Sequence, residues 1–473
     1  MAGARLQALR TSLLVGFVQA VALSALGLLA TVGLGTPYPP QEVFNKVTQL
    51  LGTPTMFQLV HATFGYGQGG KVAAFVAVAA AWLGGLTLLR LAGPLFGTAL
   101  LFLSTALLIP MPGPVLYDLA FLGLYFTLSP VTIPPGRRGV LRILGGSAAA
   151  LLVGGSFPLL RGVLGSSRQV DSDAWTRTGR LPLGVTAQED LYYVSKNIEP
   201  FDPDIDRTRW RLDVHGLVRT STTFTFAELQ AFPQVKSERT LYCISNPVGG
   251  PLVGNIIWTG FKVADLLREV GIQQGAQWIV WHSDDGYVES LPLGQALEED
   301  VLLVHQANGE PLSREHGYPL RVLIPNRLGM KQPKWITAIE LTAEEVPGYW
   351  AERGWTRTGY LETSSRIDEP SAQNPVVTAG TPTQIRGVAF AGTQAITRVE
   401  VSTDGGQMWQ DATLSPRRSV YAWTLWSLTW TPALGPQRLV VRAYAAGAVQ
   451  TRQEREPLPE AATGWHTVDV VAA

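Results

Sequence analysis

The sequence predicts a chain in three parts: an α-helical membrane anchor at residues 1–165, an α+β domain at 171–365 and an all-β immunoglobulin-like sandwich at 372–473. The first third is almost entirely apolar, whereas most ionisable residues lie beyond Arg168. Strand patterns mixed with helical ones follow, and short alternating runs fill the C-terminal part. Because Lys plus Arg and Asp plus Glu both number 37, no overall charge points to nucleic acid as a partner.

Apolar runs in the first part are long enough to cross a bilayer, whose hydrocarbon core takes about 20 residues of helix. Residues 13–34 predict one span, and the run from 72 to 109, nearly twice as long and interrupted by Arg90, predicts two. Residues 115–133 and 140–164 predict a fourth and a fifth. The sequence therefore predicts a lipid bilayer as partner and an anchor of about five helices.

Basic residues between the apolar runs orient the predicted anchor. Those on one side are Arg5, Arg10, Arg90, Arg137, Arg138 and Arg142, and those on the other are Lys46 and Lys71. This asymmetry predicts a cell-membrane protein with a cytoplasmic N-terminus and an extracytoplasmic domain after residue 164. The Arg137–Arg138 pair also resembles a twin-arginine export signal, and an ordinary cytoplasmic basic cluster is an equal alternative.

Strands outnumber helices in the central part, which favours an α+β fold. Thr225 can cap a short helix that ends before Pro233, and apolar residues at helical spacing predict a second helix over 263–270, ended by Gly271. Alternating or β-rich runs predict strands at 210–218, 278–281, 320–324 and 335–341, and Gly-containing pairs predict turns at 284–286 and 308–309.

The C-terminal part shows the pattern of a β-sandwich. A polar segment at 366–375, which contains Pro370, predicts a linker before it. Val399 and Val401 followed by the turn at 404–406 predict a hairpin. Further alternating runs bring the prediction to about seven strands in about 100 residues, typical of an immunoglobulin-like sandwich.

Cys243 is the only cysteine, which excludes an intramolecular disulfide and any zinc or iron–sulfur site with several thiolates. Taken alone, an isolated cysteine is more often a small buried hydrophobic residue than a ligand. His61 is the only histidine before His215, so the predicted membrane helices offer no histidine pair for haem. No haem is predicted.

Five motifs in the central part resemble the sulfite oxidase superfamily. They are LYCISNPVGG at 241–250, IWTGF at 257–261, DGY at 285–287, HGYPLR at 316–321 and KQPKW at 331–335. The sequence is most similar to the bacterial membrane-bound molybdopterin-dependent oxidoreductases of that superfamily. The resemblance implies a sulfite-oxidase-type domain, a molybdenum–molybdopterin cofactor with Cys243 as metal ligand and catalytic residue, and a dimerisation-type immunoglobulin-like domain.

The resemblance also implies the residues that bind the pterin. They are His316, Arg321, Gln332, Pro333 and Lys334 at its phosphate, and Tyr193, Val194 and Ser283 along its length. These residue types suit the task, because a phosphate needs cationic or backbone N–H partners and a thiolate is a soft metal ligand. Alternatives stay open: Arg321 as half of a surface ion pair, Lys334 as a solvated side chain, and His282 and His305 without a role.

The resemblance implies an enzyme that passes two electrons and an oxygen atom, with the metal cycling between oxidation states VI and IV. Sulfite oxidases place an arginine soon after the metal cysteine, whereas Ile, Ser, Asn and Pro follow Cys243 here. A small neutral S-oxide or N-oxide substrate is therefore favoured, with sulfite oxidation as the alternative if Arg239, Arg327 or Arg353 supplies charge. An unidentified redox partner would carry the electrons. A metal-free cell-surface binding module is the alternative from another class.

Overall fold

The computed structural model describes residues 12–24, 68–89, 91, 101, 184–197, 202–298, 300–372 and 374–473. The described residues from 184 onward fold as one compact unit, and the earlier ones belong to another.

The described N-terminal residues are mainly helical. Residues 12–24 form α1, and Gln68–Leu89 form α2. Ala20, Leu23 and Leu86 are buried in a small apolar cluster. Within the described parts of the chain, no helix is both long and apolar enough to cross a membrane.

Most of the predicted anchor lies outside the described residues. The first predicted span, 13–34, is described only as far as residue 24, and the run at 72–109 is described continuously only as far as residue 89. The predicted spans at 115–133 and 140–164, and the Arg137–Arg138 pair, fall wholly outside. The anchor and the export signal stay predictions.

Two five-stranded sheets build the central domain. The first has the order β2 (Thr222–Thr225), β1 (Arg211–Gly216), β10 (Ile336–Thr342), β5 (Trp278–Ser283) and β6 (Val288–Pro292). The second has the order β3 (Gln234–Tyr242), β4 (Val253–Lys262), β7 (Leu302–Ala307) and β8 (Glu310–Pro311), with β9 (Arg321–Leu323) also paired to β7. Strands β1 and β10 are parallel, and the other pairs are antiparallel. The domain thus mixes sheets with short helices, as predicted.

Local sequence explains the helices of this domain. α3 (Phe226–Gln230) starts with a capping box, in which the Thr225 hydroxyl accepts from the Glu228 N–H and the Glu228 side chain accepts from the Thr225 N–H. α4 (Val263–Val270) buries its four apolar residues and ends at Gly271 in a positive-φ conformation. α5 is Leu293–Glu298. The first two helices were both predicted from sequence.

The C-terminal domain is a sandwich of a four-stranded and a six-stranded sheet. The four-stranded sheet has the order β11 (Ser364–Glu369), β13 (Thr383–Phe390), β17 (Thr424–Trp430) and β16 (Thr413–Leu414). The other has the order β12 (Val376–Val377), β20 (His466–Ala472), β18 (Gly435–Ala445), β14 (Ile396–Ser402) and β15 (Gln410–Asp411), with β19 (Ala448–Val449) paired to β18. The predicted β-rich domain is confirmed, with more strands than the seven or so expected.

The linker prediction for residues 366–375 is wrong at its start, because Ser364–Glu369 is strand β11 of the sandwich. Arg366 and Asp368 made the segment look solvent-exposed, yet their side chains are buried and form an ion pair of 2.6 Å. Ile367 between them is fully buried in the sandwich core. Polar character alone therefore misidentified a buried strand whose charges neutralise each other.

Candidate functional site

Cys243 lies where β3 ends, at the start of the connection to β4. Tyr242 pairs with Val253 across the two strands, and the Cys243 N–H donates to the Leu252 carbonyl oxygen at 3.0 Å. The cysteine is 5% exposed. A sheet hairpin therefore fixes its backbone, which is the rigid support that a metal ligand needs.

Three buried tyrosines interact electrostatically with this cysteine. Burial raises the pKa of Tyr192 and Tyr287 well above the usual value, and burial also raises that of Tyr242. Negative charge on the Cys243 sulfur raises all three pKa values further, because a second anion nearby disfavours the phenolate. These phenols stay neutral at physiological pH. They give the thiol a buried environment in which charge interactions are strong.

Gly329 brings a second segment against Cys243. A Cβ atom at this position would lie 2.7 Å from the Tyr192 hydroxyl oxygen and 3.8 Å from the Cys243 Cα. A side chain at 329 would therefore strike the tyrosine. The glycine opens the short 3-10 helix Gly329–Lys331, which leads directly into the predicted phosphate-binding segment.

His316, Arg321 and Lys334 come together, as the resemblance implied. The Arg321 guanidinium donates from Nη1 to the His316 carbonyl oxygen at 3.1 Å and from Nη2 to that of Gln332 at 3.3 Å. Burial, then Lys334 and Arg321, lower the pKa of His316 to about 3, so its ring is neutral. Burial lowers the pKa of Arg321 to about 10, which still leaves it charged. The cluster is therefore a buried site with net positive charge.

Two buried polar atoms at this site lack a hydrogen-bond partner among the described residues: Nε of Arg321 and Oγ of Ser283. Each such atom costs about 1–3 kcal/mol when left unsatisfied. Ser283 pairs with Ile336 across the sheet, and the Asp284 N–H donates to the Trp335 carbonyl oxygen at 2.8 Å, so Ser283 lies beside the segment that carries Lys334. A ligand rich in acceptor oxygens would satisfy both atoms.

The segment 332–334 is held by its neighbours on both sides. The Gln332 side chain accepts from the Ile324 N–H at 3.3 Å and donates to the Arg327 carbonyl oxygen at 2.7 Å. The carbonyl oxygen of Pro333 accepts from the Val322 N–H at 3.0 Å, and Lys334 Nζ donates to that of Glu315 at 2.8 Å. The segment thus forms a fixed wall beside β9.

Tyr193 and Val194 join the site from an earlier loop. Lys334 Nζ lies 4.8 Å from the centre of the Tyr193 ring, a cation–π contact. The Tyr193 hydroxyl donates to Asp202, which also accepts from the Ser195 hydroxyl at 2.8 Å. Val194 packs against the apolar cluster that contains Cys243. These contacts connect the predicted pterin-lining loop both to the cation cluster and to the cysteine.

Sequence reasoning missed Tyr192, Tyr287, Gly329 and a buried ion pair, Lys331–Glu289, of 2.5 Å. Cys243 raises the pKa of Tyr192 and Arg321 lowers it, so the Tyr192 hydroxyl interacts with both halves of the site. Tyr287 and Lys331 stood within recognised motifs, which was the available signal. The role of Glu289 depends on a partner 42 positions away in the chain, which no local pattern reveals.

The histidines without a predicted role make other contacts. His282 Nε2 lies 3.0 Å from a Glu340 carboxylate oxygen, and His305 Nε2 lies 2.8 Å from the Gln234 side-chain oxygen.

Comparison with known proteins shows the family to which this chain belongs. Residues 199–350 match the family model of the oxidoreductase molybdopterin-binding domain, and residues 357–471 match that of the Mo-co oxidoreductase dimerisation domain. The uncharacterized oxidoreductase YuiH of Bacillus subtilis is 31% identical over 195 residues, which are 41% of this chain and 93% of YuiH. The chain belongs to the sulfite oxidase superfamily.

Other members of the superfamily are similar over a larger part of this chain. Mitochondrial sulfite oxidase of Homo sapiens is 30% identical over 282 residues, which are 50% of this chain and 52% of that protein. The chain thus spans about half the length of this relative. The crystal structure of the sulfane dehydrogenase SoxCD from Paracoccus pantotrophus aligns with a TM-score of 0.56 and 25% identity, over 62% of this chain and 82% of that one.

Membership makes this chain a molybdopterin oxidoreductase of the sulfite oxidase and nitrate reductase type, whose cofactor is molybdenum–molybdopterin. The residues present fit that group. A buried thiol is available as a soft metal ligand. Arg321 Nε, which has no hydrogen-bond partner among the residues that the structure describes, lies within a cationic cluster and suits a phosphate.

Proposed function

We propose that this oxidoreductase removes an oxygen atom from a small S-oxide or N-oxide, or forms such an oxide in the reverse direction, at a molybdenum ligated by Cys243, while a redox partner supplies or accepts the two electrons. The observation that carries the proposal is Arg321, a buried cation whose Nε lacks a hydrogen-bond partner within the described residues. Both Arg321 and Cys243 act on the Tyr192 hydroxyl. One short segment connects the thiol with the cation. A Cβ atom at Gly329 would lie 3.8 Å from the Cys243 Cα, and Gln332, three residues further on, accepts from Arg321 Nη2 at 3.3 Å. This arrangement suits a cofactor with a metal at one end and a phosphate at the other.

The bound cofactor supplies two-electron redox chemistry coupled to oxygen-atom transfer. The chain supplies the thiolate of Cys243, which metal coordination keeps deprotonated. Arg321 and Lys334 offset the phosphate charge, and the neutral His316 ring adds a polar contact without a further positive charge. Tyr192 and Tyr287 remain protonated at working pH, so neither adds negative charge near the thiolate. The Tyr287 hydroxyl donates to the Met330 carbonyl oxygen at 2.6 Å.

The ligand role of Cys243 is tested by Cys243→Ser. A serine hydroxyl is a hard and poorly acidic ligand, so we expect turnover to fall at least about a thousandfold while far-ultraviolet circular dichroism is unchanged. Molybdenum content by mass spectrometry shows whether the pterin is still bound through its phosphate. Activity within a factor of two of the unmodified chain would refute the assignment.

The arginines with which an anionic substrate might pair have other partners. Arg239 donates to the Asp300 carbonyl oxygen at 2.7 Å and lies 4.3 Å from the centre of the Tyr421 ring. Arg327 and Arg353 each lie 3.6 Å from the centre of a tyrosine ring. The preference for a neutral substrate rests on the residues after Cys243, which are Ile, Ser, Asn and Pro and bring no cation close to the metal ligand.

Sulfite is the second candidate, because human mitochondrial sulfite oxidase is among the relatives. Steady-state assays with a panel of sulfoxides and N-oxides, using an artificial electron donor, and with sulfite, using an artificial acceptor, separate the two. A kcat/KM for sulfite more than about tenfold above that for every neutral oxide would overturn the substrate proposal. Molybdenum content below about a tenth of an equivalent after expression in a cofactor-producing host would favour a binding module.

We place the catalytic domain on the extracytoplasmic side of a cell membrane, with the N-terminus inside. The arginine asymmetry of the N-terminal loops and the Arg137–Arg138 pair support this topology. Protease added to intact spheroplasts should digest the catalytic domain, and a reporter fused to the N-terminus should stay protected. Electrons would then pass to or from an external redox partner, which crosslinking in membranes can capture.

A further inference from the structure

The connection from β3 to β4, residues 243–252, is called the cysteine loop below. Its last four residues, 249–252, are called the return limb. They determine where the Cys243 backbone lies, because the Cys243 N–H donates to the Leu252 carbonyl oxygen at 3.0 Å. Leu252 is itself fixed by Asn246, whose Oδ1 accepts from the Leu252 N–H at 2.8 Å. Whatever holds the return limb therefore also holds Cys243.

Two side chains of the C-terminal sandwich contact this return limb. Arg366, in β11, donates from Nη1 to the Gly250 carbonyl oxygen at 2.9 Å. His466, at the start of β20, lies directly against Gly249, where a Cβ atom would be 1.9 Å from the ring Cδ2. Gly249 also has a φ of +73°, which most side chains disfavour. The cysteine loop thus contacts the sandwich at two adjacent residues, Gly249 and Gly250.

Both contacts are themselves fixed through β11. Arg366 Nε donates to Asp368 Oδ1 at 2.6 Å, and the two side chains are 5% and 1% exposed. His466 Nδ1 accepts from the Ile367 N–H at 3.0 Å, which sets the orientation of its ring. A guanidinium can serve two acceptors at once because its N–H donors form a rigid fork. Arg366 therefore connects a buried carboxylate of one domain to the cysteine loop of the other.

We propose that Arg366, aligned by Asp368 and supported by His466, is a positioning residue for the metal ligand. By fixing Gly250 it holds the return limb, and through the return limb it holds Cys243 in place to bind molybdenum. The C-terminal domain thereby takes part in metal binding within a single chain. The inference rests on the proposed ligand role of Cys243.

The test uses the full-length chain, in which Cys243 is the only thiol. Arg366→Lys keeps a cation for Asp368, but the lysine side chain cannot also reach Gly250. The fold should therefore survive while the hydrogen bond to the Gly250 carbonyl oxygen is lost. In cofactor-free protein we expect a thiol reagent to label Cys243 at least about tenfold faster than in the unmodified chain. The matched control is Arg438→Lys, which alters another Arg–Asp pair of the same domain, Arg438–Asp469 at 2.7 Å. It should leave the labelling rate unchanged.

Cofactor-loaded protein provides a second measurement. We expect Arg366→Lys to shift or weaken the thiolate-to-metal absorption band, whereas Arg438→Lys should not change it. Gly249→Ala pushes the loop off the His466 ring and should accelerate labelling in the same way, so the test does not depend on one variant. An unchanged labelling rate in both Arg366→Lys and Gly249→Ala would overturn the proposal. An equal increase of the rate in the control Arg438→Lys would overturn it as well. Molybdenum uptake by the unmodified chain is scored separately: if there is none, the proposed function fails whatever the labelling rates.

Discussion

At the scale of single residues, Arg321 is the buried cation of the candidate site that needs an anionic partner. Two of its nitrogens donate to backbone oxygens, and its guanidinium lies 5.3 Å from the centre of the Trp258 ring, but it forms no ion pair with a carboxylate within the described part of the chain. Removing a cation from water costs several kcal/mol unless a partner compensates for it. A phosphate would supply that partner, so the cofactor and Arg321 should depend on each other.

Arg321→Gln should therefore separate cofactor binding from folding. We expect retention of molybdenum cofactor to fall about 10- to 100-fold, the value of one or two charge-assisted hydrogen bonds. The free energy of unfolding of the cofactor-free protein should be unchanged or higher, because a buried charge is removed. Molybdenum content after dialysis and urea unfolding measure the two effects.

Arg239→Gln is the matched control for this variant. Burial lowers the pKa of Arg239 to about 10 as well, yet its contacts are with Asp300 and Tyr421. It should keep the cofactor, whatever its effect on the free energy of unfolding. Equal cofactor loss in both variants would show that burial of an arginine, and not the phosphate site, was responsible.

At the scale of elements, the helices and most strands could be predicted because their causes are local. The capping box at Thr225 and the apolar spacing of 263–270 each act within one element. The motif residues His316, Arg321 and Lys334 could be placed together only through the family resemblance. Tyr192, Glu289 and β11 were missed or misread because their environments depend on partners far away in the sequence.

The Lys331–Glu289 pair ties β6 to the segment that leads into the phosphate site. Both side chains are buried, and Lys331 Nζ also donates to the Arg357 carbonyl oxygen at 3.0 Å. Glu289→Gln leaves the lysine charge uncompensated, so we expect a loss of about 3–5 kcal/mol in urea unfolding. Glu289→Gln combined with Lys331→Met should recover most of that loss. A double variant as unstable as the sum of the singles would contradict this account.

At the scale of the whole molecule, the central and C-terminal domains form one compact unit with polar contacts between them. The sequence predicted both domains but not how closely they are joined, since Arg366 was assigned to a linker. The anchor is a prediction from composition alone. Its predicted spans lie largely outside the described residues.

Acid should weaken this unit through His466. Burial, then Arg366, lower its pKa to about 4 from an ordinary value of 6.5. Between about pH 6.5 and 4 the His466 ring is therefore protonated in the unfolded chain but neutral in the folded one. The free energy of unfolding falls as the pH falls from about 6.5 towards 4. His466→Asn in cofactor-free protein should reduce the pH slope of the unfolding free energy by up to about 1.4 kcal/mol per pH unit in that window. An identical slope in both proteins would count against the assignment.

The Arg321 Nε atom, which lacks a hydrogen-bond partner within the described residues, has a consequence for the lifetime of the protein in a cell. A phosphate-bearing pterin that binds only the folded chain makes unfolding harder in proportion to its affinity. Empty molecules then open more often and meet proteases more often than filled ones. In its proposed role as a phosphate ligand, Arg321 would thus favour the survival of loaded copies, because unloaded ones would be removed sooner.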